Sequence, residues 1–184
     1  MKRTLASLAL TTALMLTVGG GTAFAGEYDY LLAPTSTCAN QTDTGASVDA
    51  QETAMACMHN YVRSRKGLGS LVTRSPLKSS SNSKSLDIVR CQDFSHQACG
   101  RETFFFTKQV GYARGCWGAG ENIAWGSGSL GSVRSIMRAW LYSTPHRENI
   151  LKSRFRDKGM GLVKGRFKGY SNAQVWTAHF GYRC

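Results

Sequence analysis

Gly120-Glu121-Asn122-Ile123-Ala124-Trp125-Gly126, followed fourteen residues on by Trp140-Leu141-Tyr142-Ser143-Thr144-Pro145-His146-Arg147-Glu148-Asn149-Ile150-Leu151, is the stretch on which the fold turns. It sets a carboxylate in a glycine-flanked apolar run, then an amphipathic helix, then a proline break carrying an imidazole. Val133, Ile136, Met137, Trp140 and Leu141 fall at i, i+3, i+4, i+7 and i+8, so residues 131–143 form a helix with one apolar stripe. Pro145 biases Thr144 away from helix, and His146 opens a shorter helical segment through Lys152. Asp93-Phe94-Ser95-His96 lies upstream and adds a second imidazole beside turn residues.

Outward from that stretch, Asp49 and Glu52 have the spacing of a capping box and start a helix with Ala54, Cys57, Met58, Tyr61 and Val62 as its apolar positions, ended by Gly67. Pro76 suits the first turn of a second helix running towards Arg90. The run Ser79-Ser80-Ser81-Asn82-Ser83-Lys84-Ser85 is poor helix material, and a low-complexity loop is the alternative there. After residue 159 the pattern alternates: Met160 and Leu162, then Val175, Thr177 and His179, predict strands around a turn at Lys168-Gly169. Early helices followed by late antiparallel strands argue for an α+β domain.

These segments carry a resemblance. From about Cys57 to Tyr182 the chain resembles the CAP superfamily (cysteine-rich secretory proteins, antigen 5 and plant pathogenesis-related proteins; the SCP domain), and it looks most like the secreted bacterial members. The helix Cys57-Met58-His59-Asn60-Tyr61-Val62-Arg63, the segments around His96, Glu121 and His146, and the stretches Gly159-Met160-Gly161-Leu162 and Val175-Trp176-Thr177-Ala178-His179-Phe180-Gly181 carry the match. The resemblance implies an α-β-α sandwich and a cleft holding His96, Glu121, Ser143 and His146. In eukaryotic relatives a second glutamate occupies the position of Ser143, and the second histidine lies in a Gly-His-x-x-x-x-Val-Trp stretch. Here Gly169-Tyr170 precede Val175-Trp176, so His146 supplies the second imidazole and Tyr170 lines the pocket.

Lys2 and Arg3, an apolar run from Leu5 to Val18 and Ala23-Phe24-Ala25 read as a secretory signal, residues 1–25. The run is short for a membrane span, which takes about 20 residues, and no later segment is apolar enough, so no transmembrane segment is expected after signal cleavage. Residues 26–48 form a polar, acidic arm, loosely docked, and residues 49–184 the CAP domain. The chain is expected to be secreted, extracellular or bound to the cell envelope. Cys38, Cys57, Cys91, Cys99, Cys116 and Cys184 then read as disulfide staples. Cys99 and Cys116, which flank one aromatic segment, are the best single pair. Asn40-Gln41-Thr42 is a glycosylation sequon wherever the host glycosylates.

Residues 26–56 carry five acidic side chains and no Lys or Arg, whereas residues 57–184 carry 21 basic and six acidic ones. A body this basic favours an anionic cell-envelope component, a lipid or a glycan as partner. It has no stacking-aromatic motif of a nucleic-acid module, so specific nucleic-acid binding is not expected.

Two histidines and a glutamate can hold a divalent transition metal such as zinc with a coordination position open, or act as acid and base on a bound ligand. His96, Glu121 and His146 are the metal candidates, and the same three are the catalytic candidates if the chain is an enzyme. A helix start disfavours protonation of His146, and a metal needs the neutral imidazole. Glu148 reads as a surface residue, His179 as structural on its strand, and His59 as a surface or packing residue. Gly126-x-Gly128-x-x-Gly131 mimics a dinucleotide fingerprint, but no βαβ pattern precedes it and no nucleotide cofactor is expected. Neither a Gly-x-Ser-x-Gly elbow nor a His-Glu-x-x-His helix occurs. The reading is a secreted binding module, with a metal-assisted extracellular hydrolase or peptidase as the alternative.

Overall fold

The computed structural model describes residues 26–184, so the signal segment 1–25 lies outside the described residues. Helices α1 (Val48–Arg65), α2 (Ser75–Cys91), α3 (Phe105–Gln109), α4 (Val133–Tyr142) and α5 (Thr144–Leu151) surround four strands: β1 (Val72–Thr73), β2 (Trp117–Ser127), β3 (Asp157–Phe167) and β4 (Tyr170–Arg183). The sheet order is β1-β3-β4-β2, with β1 parallel to β3 and the other pairs antiparallel. Alternation along β4 sends its residues to two cores. Trp176, Ala178 and Phe180 meet Met55 and Met58 of α1 and Trp140 of α4, while Ala173 and Val175 meet Ile88 of α2. Helices on both faces of a mixed sheet make the α-β-α sandwich, an α+β fold. Among the described residues no helix is long and apolar enough to cross a membrane.

The serine-rich stretch is helix α2, and its composition has a packing cause. Gly159 and Gly161 of β3 face it so closely that a Cβ on Gly159 would lie 2.0 Å from the Leu77 carbonyl carbon, and one on Gly161 2.3 Å from Asn82 N. At that separation only small side chains fit, and buried hydroxyls must find acceptors. Ser81 Oγ donates to Gly159 O at 3.0 Å and Ser85 Oγ to Gly161 O at 3.2 Å. Poor intrinsic propensity is thereby outweighed by tertiary packing. Gly161→Ala should therefore cost about 2 kcal/mol by overpacking. Urea denaturation checks this, and wild-type stability in the variant would contradict the close approach.

Four expectations change. The arm is docked: Leu31, Leu32, Ala33 and Cys38 join the main core, and Gln41 is 1 % exposed. A short apolar run among polar neighbours suffices once it covers α1. The capping box at Asp49 and Glu52 is absent. Ser47 caps α1, its Oγ accepting from Ala50 N, and Glu52 Oε1 accepts instead from Leu162 N at 3.0 Å. Thr144 belongs to α5, with Pro145 in the first turn, where its missing N–H leaves no orphan. The expected staple from Cys99 to Cys116 does not form. The bonds are Cys38–Cys57, Cys91–Cys99 and Cys116–Cys184, with no free cysteine among the described residues. The sheet register sets Trp117 opposite Arg183, which brings Cys116 to Cys184.

The glycines from 126 to 131 turn the chain from β2 into α4. A Cβ on Gly126 would lie 2.4 Å from Leu130 O, so the turn needs glycine for close backbone approach. The β3–β4 hairpin turns at Lys168-Gly169, both at positive φ (47° and 88°), as a two-residue primed turn requires.

Candidate functional site around Glu121

Glu121 lies mid-strand in β2, opposite His179 on β4. Its side chain is 1 % exposed, and both oxygens are occupied: Oε1 takes His96 Nδ1 at 2.6 Å and Oε2 takes His179 Nε2 at 2.7 Å. Lys84 Nζ, also 1 % exposed, stands 3.9 Å from Oε2 and donates to the His96 carbonyl. Burial pushes the Glu121 carboxyl up. The imidazoles of His179 and His96 and the Lys84 ammonium oppose it, and the balance holds the group below the ordinary carboxylate range. Burial in turn lowers the Lys84 ammonium, against the pull of Glu121 and Asp87. The result is a buried carboxylate fully committed to neighbours, as a buried charge requires.

His96 is delivered by the loop after α2, which the Cys91–Cys99 disulfide closes. Its side chain is 49 % exposed, so Glu121 grips one nitrogen of a ring that otherwise faces solvent. His146 comes from α5, in the opposite layer. Because β2 is the edge strand, both can reach its rim. His146 Nδ1 meets Ser143 Oγ at 2.8 Å, and burial followed by the charge of His96 holds the imidazole below its ordinary value, favouring the neutral form near pH 7. Asn149 Nδ2 donates to Glu121 O and to Asn122 Oδ1, and Asn122 Nδ2 donates to His146 O, which ties α5 to β2 beside the site.

His96, Glu121, Ser143 and His146 are thus brought to one edge of the sheet. Tyr170 is not: it sits at the hairpin against Trp125, with its Cα partner at Phe167. Nine residues of strand, about 30 Å at 3.3 Å each, separate it from His179. His179, expected to be structural, is instead the second partner of Glu121 and bonds Ser80 Oγ through Nδ1 at 2.7 Å. His59 is a fully buried packing residue on α1, and Glu148 is exposed.

The donor set allows a restricted metal reading. Among the described residues no group of three or more His, Cys, Asp or Glu is arranged to hold an ion. Glu121 has no oxygen to spare, so it stands behind His96 as an orienting carboxylate. The Nε2 atoms of His96 and His146 are the nitrogens left to coordinate. Ser80, His179 and Glu121 form a hydrogen-bonded chain of Ser, His and carboxylate, but Ser80 is 0 % exposed and also donates to Leu77 O, so no substrate reaches it.

Comparison with known proteins identifies the family. The profile described as Cysteine-rich secretory protein family matches residues 57–180. An uncharacterized protein of Bacillus subtilis, YkwD, is 31 % identical over 140 residues, covering 76 % of this chain and 50 % of that protein. The chain thus spans about half the length of that relative. An extracellular protein of Bacillus anthracis containing an SCP domain superposes with a TM-score of 0.56 at 25 % identity, covering 73 % of this chain and 43 % of that one. An outer surface protein of Borrelia burgdorferi superposes with a TM-score of 0.64 at 15 % identity, covering 76 % and 97 %, a likeness of fold alone.

Proposed function

Because the chain belongs to the cysteine-rich secretory protein family, with an SCP-type domain, we propose that it is an exported binding module. In this reading residues 1–25 are removed, and the site at the β2 edge receives a polar group of a cell-envelope ligand, a lipid headgroup or a glycan. The observation that carries it is the half-exposed His96 ring anchored by a buried Glu121. A carboxylate with both oxygens bonded orients a neighbour; it is poorly placed to take a proton from water, which disfavours the hydrolase alternative. His96 and His146 would hold a divalent ion such as zinc through Nε2, and the ion would supply positive charge for an anionic ligand. The excess of Lys and Arg after residue 56 would draw the module to an anionic surface.

The test is co-sedimentation with purified cell-wall sacculi and with phosphatidylglycerol vesicles at physiological salt, comparing wild type with the double variant His96→Ala, His146→Ala. One of the two should retain wild type and release the variant by about tenfold, the scale of one or two lost polar contacts. Equal retention of both proteins, abolished by salt, would reduce the interaction to charge alone. Zinc calorimetry on the same pair should show uptake only by wild type, weakening as acid protonates the ligands, with His146 yielding only below the ordinary imidazole value of 6.5. Equal uptake by both would place the ion elsewhere.

A further inference from the structure

Gly26 sits in a small polar site on helix α4. Its N–H donates to Asp29 Oδ2 at 3.0 Å, and its carbonyl accepts from Asp29 N at 2.9 Å. The same carboxylate takes Arg138 Nε at 2.7 Å and Tyr142 Oη at 3.3 Å through Oδ1, and Arg138 Nη2 at 3.3 Å through Oδ2. Tyr142 Oη in turn accepts from Tyr28 N at 3.3 Å. The Tyr28 and Tyr142 rings meet edge to face, with centroids 5.3 Å apart.

Two features fit this site to residue 26. A Cβ on Gly26 would lie 1.7 Å from Tyr142 Oη and 2.8 Å from its Cζ, so a larger residue enters only by displacing the phenol. The acceptor is also a charged one. The Arg138 guanidinium holds the Asp29 carboxyl below its ordinary value, against burial and with help from the Gly26 N–H, so Asp29 is ionised at neutral pH. Gly26 is the residue that removal of residues 1–25 would leave first. Its amide would then become an ammonium group with three donors.

We propose that Asp29, Tyr142 and Arg138 form a binding site for the α-ammonium group of Gly26, so that export completes the docking of the arm. The link to export rests on the reading that residues 1–25 are removed; the site itself does not. Cleavage puts a full positive charge on the donor of a bond whose acceptor is already ionised. Two cations oppose it: Arg138 Nη2, 3.2 Å from where a Gly26 Cβ would stand, and Arg147, whose guanidinium lies 4.2 Å from the Tyr28 ring centroid. Glu27, next in the chain, offsets part of that. The Asp29 oxygen is in direct contact and outweighs the cations, because attraction falls with distance. The site also adjoins the functional rim. Tyr142 precedes Ser143, whose hydroxyl meets His146 Nδ1 at 2.8 Å, so a docked N-terminus steadies the end of α4 from which that rim starts.

The experiment compares two folded, oxidised chains, one released to start at Gly26 and one that keeps Ala25. Carbon NMR of the isotope-labelled first residue, at low ionic strength, follows the titration of each α-amine. Ala25 should titrate in the ordinary range, about 7.7 to 8.0, and Gly26 about half a unit to one unit higher, the scale of a partly exposed ion pair. The Gly26 chain should therefore melt higher below pH 8, an advantage lost as pH rises through the folded value. Asp29→Asn and, separately, Gly26→Ala should each return the amine to the ordinary range. Should Asp29→Asn lose its amide dispersion, Gly26→Ala decides. Amide shifts between the two chains should reach Arg138, Tyr142 and Ser143. An ordinary value for Gly26, a raised value kept in either variant or in the chain with Ala25, or shifts confined to residues 26–28 would each overturn the site. N-terminal sequencing of the chain exported by a bacterial host tests the processing separately: a first residue other than Gly26 would overturn the link to export, while the titration still decides the amine site.

Discussion

Lys158→Met should make the protein more stable at pH 6, by about 3 kcal/mol, the scale seen when buried charges give way to well-packed apolar side chains. Lys158 on β3 is 1 % exposed, with its ammonium donating to Ala56 O and no carboxylate within ion-pair distance among the described residues. Burial, then the Arg63 guanidinium, pushes the group down to about 7. An unfolded lysine titrates near 10.5, so between pH 7 and 10.5 the unfolded chain binds a proton that the folded chain does not. Wild-type stability therefore rises with pH across that window. Below pH 7 the folded protein carries the full cost of the buried charge, at most about 5 kcal/mol at 1.36 kcal/mol per unit. The advantage of the methionine variant should be greatest below pH 7 and should shrink towards pH 10.5. Urea denaturation at pH 6 and pH 10 reads both values. A variant less stable than wild type at pH 6, or a gap that ignores pH, would show that the ammonium is better solvated than its burial indicates.

His59 makes the same core sensitive to acid. Its Nδ1 donates to Met55 O, its Nε2 has no partner, and the rings of Trp140 and Phe180 lie beside it. Burial, followed by the nearby Lys158 charge, pushes the imidazole down to about 3. Between pH 6.5 and 3 the unfolded chain binds the extra proton, so stability falls as pH falls through that range.

The parts of the fold that were legible in the chain are those where local pattern and tertiary demand agree. The stripe on α4, the alternation in β3 and β4 and the turn at Lys168-Gly169 were of this kind. The docked arm and the disulfide partners were not legible, because both depend on which strands become neighbours. Cys116 meets Cys184 only through the pairing of Trp117 with Arg183. The same holds for the site. His96, Glu121 and His146 stand out by residue type beside turns and glycines. His179 looked like another inward residue after Val175 and Thr177, and only the register opposite Glu121 gives it a partner. One signal was present: the turn at Lys168-Gly169 already fixed Tyr170 at a hairpin end, far from residue 179. A buried carboxylate also needs more donors than one exposed imidazole can give.

That need sets the second large effect. Glu121→Gln should cost about 3–5 kcal/mol at pH 7, the scale for removing one member of a buried charge cluster. The amide keeps one acceptor oxygen, so one of the two imidazole nitrogens would face an N–H₂ group, and Lys84 would lose the only carboxylate within 4 Å among the described residues. The pH dependence distinguishes charge from shape. The Glu121 carboxyl titrates below its ordinary value of 4.5 when folded, so its stabilisation is fully present above pH 4.5 and is lost as pH falls through the lower folded value. The gap between wild type and variant should be the same at pH 7 and pH 5.5 and should narrow below pH 4. Adding Lys84→Met to Glu121→Gln should recover part of the loss, because the stranded ammonium leaves with it. A negligible cost at pH 7, or a gap that persists undiminished in acid, would mean that Glu121 acts through its shape, and that the anchoring of His96 does not depend on its charge.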